Sequence, residues 1–404
     1  MQVTRVLTID ITRKLSKEQQ IVIRHLSYSA AKLWNIANHT FKNQETDLYH
    51  LKHYLKDNFW YKNLHSQSAQ TVIEKLQIAW RNYFKSHTKN PPGFQPKDGH
   101  FPVRWKRGGI KIVDGKLRLS LSRQTCEYLK EAHDIVFRYL WLELSKIPAL
   151  GVVQEVEIVP KKIYGHWQYF LHIIYHKEIQ PQRPGTRTMS IDLGVLNLAT
   201  VVVEGKRRPY IFDGRVLVSK LRWFAKRKVQ IQSVLSKQGS KSSKKMYKLV
   251  VKEHAYVKDY LHKVSRWIVE LARVEGVGKI VVGSMHKNIA QMDLGHQKNE
   301  KLHRIPFGKL VAMIKYKAQG YGIEVVTVDE AYTSQICSIC GFKDKSSRKH
   351  RGLYVCKGCG SVLNADVNGA RNILFRVVPN PMSDRDSGFG HPRRIRVLQA
   401  PNFA

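Results

Sequence analysis

Residues 3–11 alternate in character, with Leu7, Ile9 and Ile11 on one side and Val6, Thr8 and Asp10 on the other. That period of two predicts a short strand. At Ser16 the pattern changes. Ser16 and Gln19 form a capping-box pair, and Val22, Leu26, Ala30, Leu33, Ala37 and Phe41 then recur at helical spacing to about Lys42. Ala69, Val72, Leu76, Tyr83 and Phe84 predict a second helix over 66–84. Four prolines and two glycines mark residues 87–102 as a loop. Short strands are expected at 103–106, 110–113 and 116–121, joined by the turn pairs Gly108-Gly109 and Asp114-Gly115. Two more are expected at 152–160 and 167–175. Together they read as a small β-barrel around a helical insert. The polar stretch 177–189, with Pro181, Pro184 and Gly185, marks the main domain boundary.

Beyond it, Ser190–Leu193 and 197–203 read as two strands joined by a tight turn. Residues 216–275 carry two long helical patterns split by a Ser/Gly/Lys linker at 236–245. A buried strand at 279–283, a helix over 306–319 and a strand over 322–328 follow, and a last helix opens near Asp366. Strands alternating with helices predict an α/β layered domain. Residues 378–404, a mix of Pro, Ser, Asp, Gly and Arg, read as a flexible basic tail.

Charge sharpens this picture. The 404 residues carry 69 Lys+Arg against 31 Asp+Glu, a net charge of +38. Such an excess opposes compaction unless a polyanion neutralises it. The basic residues recur along the whole chain, which points to an extended nucleic-acid surface. In the expected barrel, Arg104, Trp105, Lys106, Arg107, Lys111 and Arg118 are candidates to hold phosphates. No long uncharged apolar run argues for a membrane. Reduced cysteines and the lack of a targeting segment suggest the cytoplasm.

Four of the five cysteines, Cys337, Cys340, Cys356 and Cys359, form two CxxC pairs separated by residues 341–355. Two such pairs fill the tetrahedral shell of one structural Zn²⁺ and leave no open position for water; the alternative is two disulfides or unrelated thiols. Gly341 and Gly360 follow the pairs where a knuckle turn needs φ > 0. Cys126 reads as an inert buried thiol. Asp192 sits in an apolar strand, where a bare carboxylate is costly unless it meets a cation; the alternative is a strand-end turn cap. Asp329 and Glu330 end a late strand, and Asp366 starts the last helix as ligand or N-cap. Carboxylates from separate elements suit a pair of Mg²⁺ ions, which serve phosphodiester hydrolysis well. His286, His296 and His303 are read as loop residues near phosphate.

The set Ile191-Asp192-Leu193-Gly194, Tyr332-Thr333-Ser334, the two CxxC pairs and Asp366-Val367-Asn368-Gly369-Ala370-Arg371-Asn372-Ile373 resembles the TnpB (OrfB) proteins of insertion sequences. These are RNA-guided DNA nucleases related to type V CRISPR effectors and Fanzors. The resemblance implies a RuvC-like (RNase H fold) nuclease domain over 186–377, with a zinc ribbon inserted at about 334–362. It also implies an N-terminal oligonucleotide-binding-type wedge β-barrel over 1–185, with a helical recognition insert at about 16–90. The implied partners are a guide RNA from the transposon end and double-stranded target DNA bearing a short flanking motif, with one monomer per guide. Asp192 and Asp366 match the first and last catalytic aspartates of the family. The family's middle glutamate follows the Ile-Val-Val strand, but here that strand reads Ile280-Val281-Val282-Gly283-Ser284. A relocated acid, Glu330 with Asp329 second, completes the magnesium site in one reading. In the other, the chain is a guided DNA-binding regulator without cleavage. An accessory transposase protein is a further alternative.

Overall fold

The computed structural model describes residues 2–143, 151–163, 166–178, 185–284, 304–350, 352–378 and 391–397. It divides into two compact units, Met1–Glu178 and Ile179–Ala404.

In the first unit, β1 (Gln2–Asp10) leads to α1 (Lys17–Lys42) through the expected capping box. Ser16 Oγ accepts from Gln19 N at 3.1 Å, and Gln19 Oε1 accepts from Ser16 N at 2.9 Å. The short helices α2 (Leu51–Tyr54) and α3 (Phe59–Lys62) connect α1 to α4 (Ser66–Phe84). The apolar stripe of α1, including Leu26, Ala30 and Leu33, shares one core with Ile73, Leu76 and Trp80 of α4. That core also takes in both sheets of the unit. One has the order β1-β7-β6-β2, using β7 (His166–Glu178), β6 (Val152–Ile163) and β2 (Val103–Lys106). The other runs β3 (Ile110–Val113), β4 (Lys116–Ser120) and β5 (Tyr139–Glu143). Helix α5 (Arg123–His133) lies between β4 and β5 in sequence, and neither it nor β5 is among the expected elements. Cys126 on α5 is only half-buried.

Two expectations are corrected here. Gly108-Gly109 does not close a hairpin: Arg107–Gly109 forms a 3-10 turn that carries the chain from one sheet to the other. The basic residues of β2 are also not a bare phosphate surface. Arg104 pairs with Glu155 at 2.8 Å and Glu157 at 3.3 Å, and Lys106 pairs with Glu74 at 3.0 Å. Trp105 is in the core, its Nε1 donating to the Ser120 carbonyl at 2.8 Å.

In the second unit, β8 (Arg187–Leu193), β9 (Asn197–Val203) and β10 (Tyr210–Asp213) form an antiparallel meander. On the other side of β8, β11 (Val277–Ser284) and β12 (Glu324–Asp329) add in parallel. The order is β12-β11-β8-β9-β10-β16, where β16 is Arg393–Ile395. Side chains alternate across this sheet. Met189, Ile191, Val201, Val203, Ile280 and Val282 face the core built with α7 (Lys244–Val274) and α8 (Phe307–Gln319). Helix α6 (Arg215–Lys237) precedes α7. The odd partners of that alternation, Ser190, Asp192, Val202 and Gly283, face the other way, toward α9 (Ala365–Phe375).

Part of the expected flexible tail belongs to this sheet. Arg393–Ile395 pairs in parallel with β10, and Ile395 and Val397 are buried in the core. The interleaved Arg393, Arg394 and Arg396 hid a two-residue alternation. His286, His296 and His303 lie outside the described residues. No described helix is long and apolar enough to cross a membrane.

Candidate active site and metal centre

Asp192 reaches the α9 side of the sheet because it is one residue out of phase with Ile191 and Leu193. Helix α9 passes so close that a Cβ at position 369 would come within 2.8 Å of Asp192 Oδ2, and Gly369 removes that atom. Asp366 lies one turn earlier on the same helix. It is not the cap: Asn364 Oδ1 accepts from the backbone N of Asp366 at 3.1 Å and of Val367 at 3.2 Å. The Asp366 carboxylate is left to other partners, accepting from Asn197 Nδ2 at 2.6 Å and from an Arg348 guanidinium nitrogen at 3.2 Å.

Glu330 and Asp329 part company at the end of β12. Asp329 is exposed and turns back on the chain, accepting from the backbone N of Ala331 at 2.9 Å. Glu330 is half-buried. Its Oε2 lies 2.7 Å from where a Cβ at position 283 would stand, and Ile373 Cδ1 of α9 lies 2.8 Å from the same point. The space left by Gly283 is therefore filled by the carboxylate of Glu330. That is the strand position next to which the sequence lacks its acid.

These placements give the cluster its electrostatics. Burial raises the Asp192 carboxyl from the usual carboxylate range, the charges of Asp366 and Glu330 push it further, and Arg348 opposes them; it stands at about 8. A carboxyl held that high by burial and, after it, by two other carboxylates is short of positive charge. The oxygen-only donor set matches what a hard divalent cation prefers.

The four cysteines converge a few residues away in sequence. Their sulfurs all lie within 4.8 Å of one another, with Cys337–Cys359 at 3.9 Å and Cys340–Cys356 at 3.5 Å. A tetrahedral shell with Zn–S bonds of about 2.3 Å sets sulfurs about 3.8 Å apart, so the cluster could hold a zinc ion. The separations are too long for disulfides. Each knuckle closes as its glycine requires. Gly341 N donates to the Cys337 carbonyl at 2.9 Å and Gly360 N to the Cys356 carbonyl at 3.0 Å, with φ of +76° and +71°.

The cysteine module is fastened to α9 by two asparagines on one helical face. Asn368 accepts from Ser338 N and donates to the Ile336 carbonyl, both at 2.8 Å. Asn372 donates to the carbonyls of Thr333 and Ile336 at 2.7 Å. From the sheet side, Ser190 Oγ donates to the Ala370 carbonyl at 2.6 Å. Arg348 belongs to β13 (Arg348–His350), which with β14 (Leu353–Val355) and β15 (Val362–Leu363) makes the module's sheet. Neither Arg348 nor Asn197 stands out in the sequence. The i, i+4 spacing of Asn368 and Asn372 was the signal available for the clamp.

Two family models match the chain: the Cas12f1-like TNB domain over residues 307–373 and OrfB_IS605, described as a probable transposase, over 172–289. The Methanocaldococcus jannaschii protein named TnpB-like protein MJ0751 is 32% identical over 209 residues, covering 50% of this chain and 73% of that protein. An Escherichia coli (strain K12) protein named "Putative RNA-guided DNA endonuclease InsQ" is 25% identical over 332 residues, covering 78% of this chain and 75% of its own length. Among solved structures, a cryo-EM structure of a Cas12f1-sgRNA-target DNA complex superposes with a TM-score of 0.65 at 16% identity, covering 88% of this chain and 82% of that one. The solved structure shows a shared fold, and the Methanocaldococcus jannaschii relative, together with the two models, gives the family: the chain belongs to the TnpB-like (OrfB) family.

Proposed function

We propose that this protein is an RNA-guided DNA endonuclease of a mobile element, with Asp192, Glu330 and Asp366 as the metal-binding carboxylates of its active site. One observation carries the reading: the Glu330 carboxylate fills the space vacated at Gly283 and adds its charge to that of Asp366 at Asp192. The sheet order, with two strands parallel to β8 on one side and an antiparallel meander on the other, supports a RuvC-like, RNase H-type domain. The names of the relatives support a guide RNA and a DNA target.

Magnesium held there would activate water and stabilise the leaving oxygen of the cut phosphodiester. The chain's own residues prepare the site. Gly369 and Gly283 admit two of the carboxylates between helix and sheet. Asn197 fixes the orientation of Asp366, and Arg348 supplies a guanidinium partner to it. A Zn²⁺ on Cys337, Cys340, Cys356 and Cys359 would hold the ribbon that Asn368 and Asn372 fasten to the Asp366 helix. The first unit would serve as the wedge and recognition part, with sequence choice delegated to guide–target pairing.

The test is co-expression with RNA from the gene's downstream flank, followed by cleavage of a matched DNA target in magnesium. Wild-type protein should cut. Asp192→Ala and Glu330→Ala should bind the target and leave it whole. Binding without cleavage by the wild type would make the protein a guided regulator instead. Normal cutting by Glu330→Ala would remove Glu330 from the site.

A further inference from the structure

Helices α6 and α7 carry a basic, aromatic cleft apart from the carboxylates. Over Arg215–Lys237, α6 holds seven Lys and Arg and no Asp or Glu. Beside α7 it opens into a cleft of about 470 Å³ lined by Arg215, Val216, Ser219, Lys220, Trp223 and Tyr256. Trp223 is 50% exposed. Lys220 Nζ lies 4.3 Å from its ring centroid, and the ring of Phe224 meets it edge-on at 5.0 Å. Phe224 itself is buried with Ile231, Leu235 and Leu249. The backbone beneath the indole is therefore anchored while the indole stays accessible.

A string of side chains ties this cleft to the carboxylate cluster. Asn197 donates from Nδ2 to Asp366 at 2.6 Å and accepts on Oδ1 from Arg394 at 2.9 Å. The Arg394 guanidinium lies 4.0 Å from Asp213 Oδ2. Asp213 in turn accepts from Arg215, at 3.0 Å from Nε and 2.7 Å from the terminal nitrogen. The cleft thus begins a few side chains from the place where the phosphodiester would be cut.

We propose that this cleft is a base-stacking subsite for single-stranded nucleic acid. Trp223 takes the face of one base, while Lys220 flanks an adjoining phosphate; Arg215 is held by Asp213 and shapes the end of the cleft. A duplex offers its base edges and keeps its faces stacked, so a half-exposed indole beside a lysine suits a single strand. The absence of acidic side chains on α6 gives the polyanion its complement. Placing the subsite on the strand being cut rests on the nuclease reading; the binding itself does not.

The probes are a short oligothymidylate and a short oligouridylate, each with one 5-iodouracil, bound to the full-length Asp192→Ala chain. Ultraviolet crosslinking should map to the peptide containing Trp223, and the stronger arm identifies DNA or RNA as the preferred strand. Trp223→Ala should weaken binding about tenfold with an unchanged salt slope, because stacking releases no counterions. Trp223→Phe should retain most of the affinity. Lys220→Ala should lower the salt slope by about one. A crosslink mapping elsewhere, or equal affinity of Trp223→Ala and the wild type at equal melting temperature, overturns the proposal. So does a self-association of the wild type that Trp223→Ala abolishes, which would assign the cleft to a protein contact. A wild-type chain that crosslinks at Trp223 but cuts no matched target would sink the nuclease reading and leave this one standing.

Discussion

One methyl group at position 283 should be enough to disturb the carboxylate cluster. A Cβ there meets Glu330 Oε2 at 2.7 Å and Ile373 Cδ1 at 2.8 Å, and Glu330 is the side chain freer to move. Gly283→Ala should lower the cleavage rate by on the order of a hundredfold, as small displacements of a catalytic group do. The melting temperature should change little, which a thermal scan beside the cleavage assay will check. Asp192→Asn should do something different. It removes a carboxyl crowded by burial, Asp366 and Glu330, so the metal-free protein should melt roughly 2–4 °C higher although it no longer cuts. Magnesium should raise the melting temperature of the wild type and leave that of the variant unmoved. The sequence disclosed the residue types at this site but not their selection. Asp329 and Glu330 are neighbours, and the sequence ranks Glu330 first only by its place before Ala331-Tyr332-Thr333-Ser334. Only the turn that bonds Asp329 back to Ala331 separates them, and the space that receives Glu330 is made by a residue on another strand.

At the scale of elements, α9 is held between the sheet and the cysteine module. Stripping zinc with a chelator should abolish cleavage even in excess magnesium, and zinc should restore it. Asn372→Ala leaves the Thr333 and Ile336 carbonyls without its two hydrogen bonds, a cost of about 1–3 kcal/mol. That variant should release zinc at lower chelator concentration, read by metal content after dialysis. Lys317 pins α8 to α7, donating to the His262 carbonyl and to Ser265 Oγ, both at 2.7 Å. Burial first, then the charge of Arg266, lowers its ammonium to about 8. Between about pH 8 and the ordinary lysine value the unfolded chain holds more protons than the native one, so this lysine makes stability rise with pH there. Lys317→Met should flatten that rise in urea titrations from pH 8 to 10. Local signals were the legible ones: the Ser16–Gln19 box starts α1 where expected. Signals that depend on distant partners were not. A Gly-Gly pair reads alike whether its strands pair or go to different sheets. Arg104 reads as a free cation until Glu155 and Glu157 are brought beside it.

For the whole molecule, the +38 charge sets opposite responses to salt. Self-repulsion is screened as ionic strength rises, so the free protein should melt higher in 500 mM than in 50 mM salt. Its affinity for nucleic acid should fall steeply over the same range. Calorimetry of the free chain and a filter-binding titration would show the two trends crossing. The edge strand Arg393–Ile395 bears on how far such a protein can be trimmed. Judged by composition alone, everything after about residue 378 looks dispensable to anyone seeking a shorter chain. A chain shortened there would bare the edge of β10, an open template for pairing with other chains. It would also take Arg394 away from Asn197 and Asp213. The lower limit on size is therefore set by a few residues near the end of the chain, in the stretch that composition marks as spare.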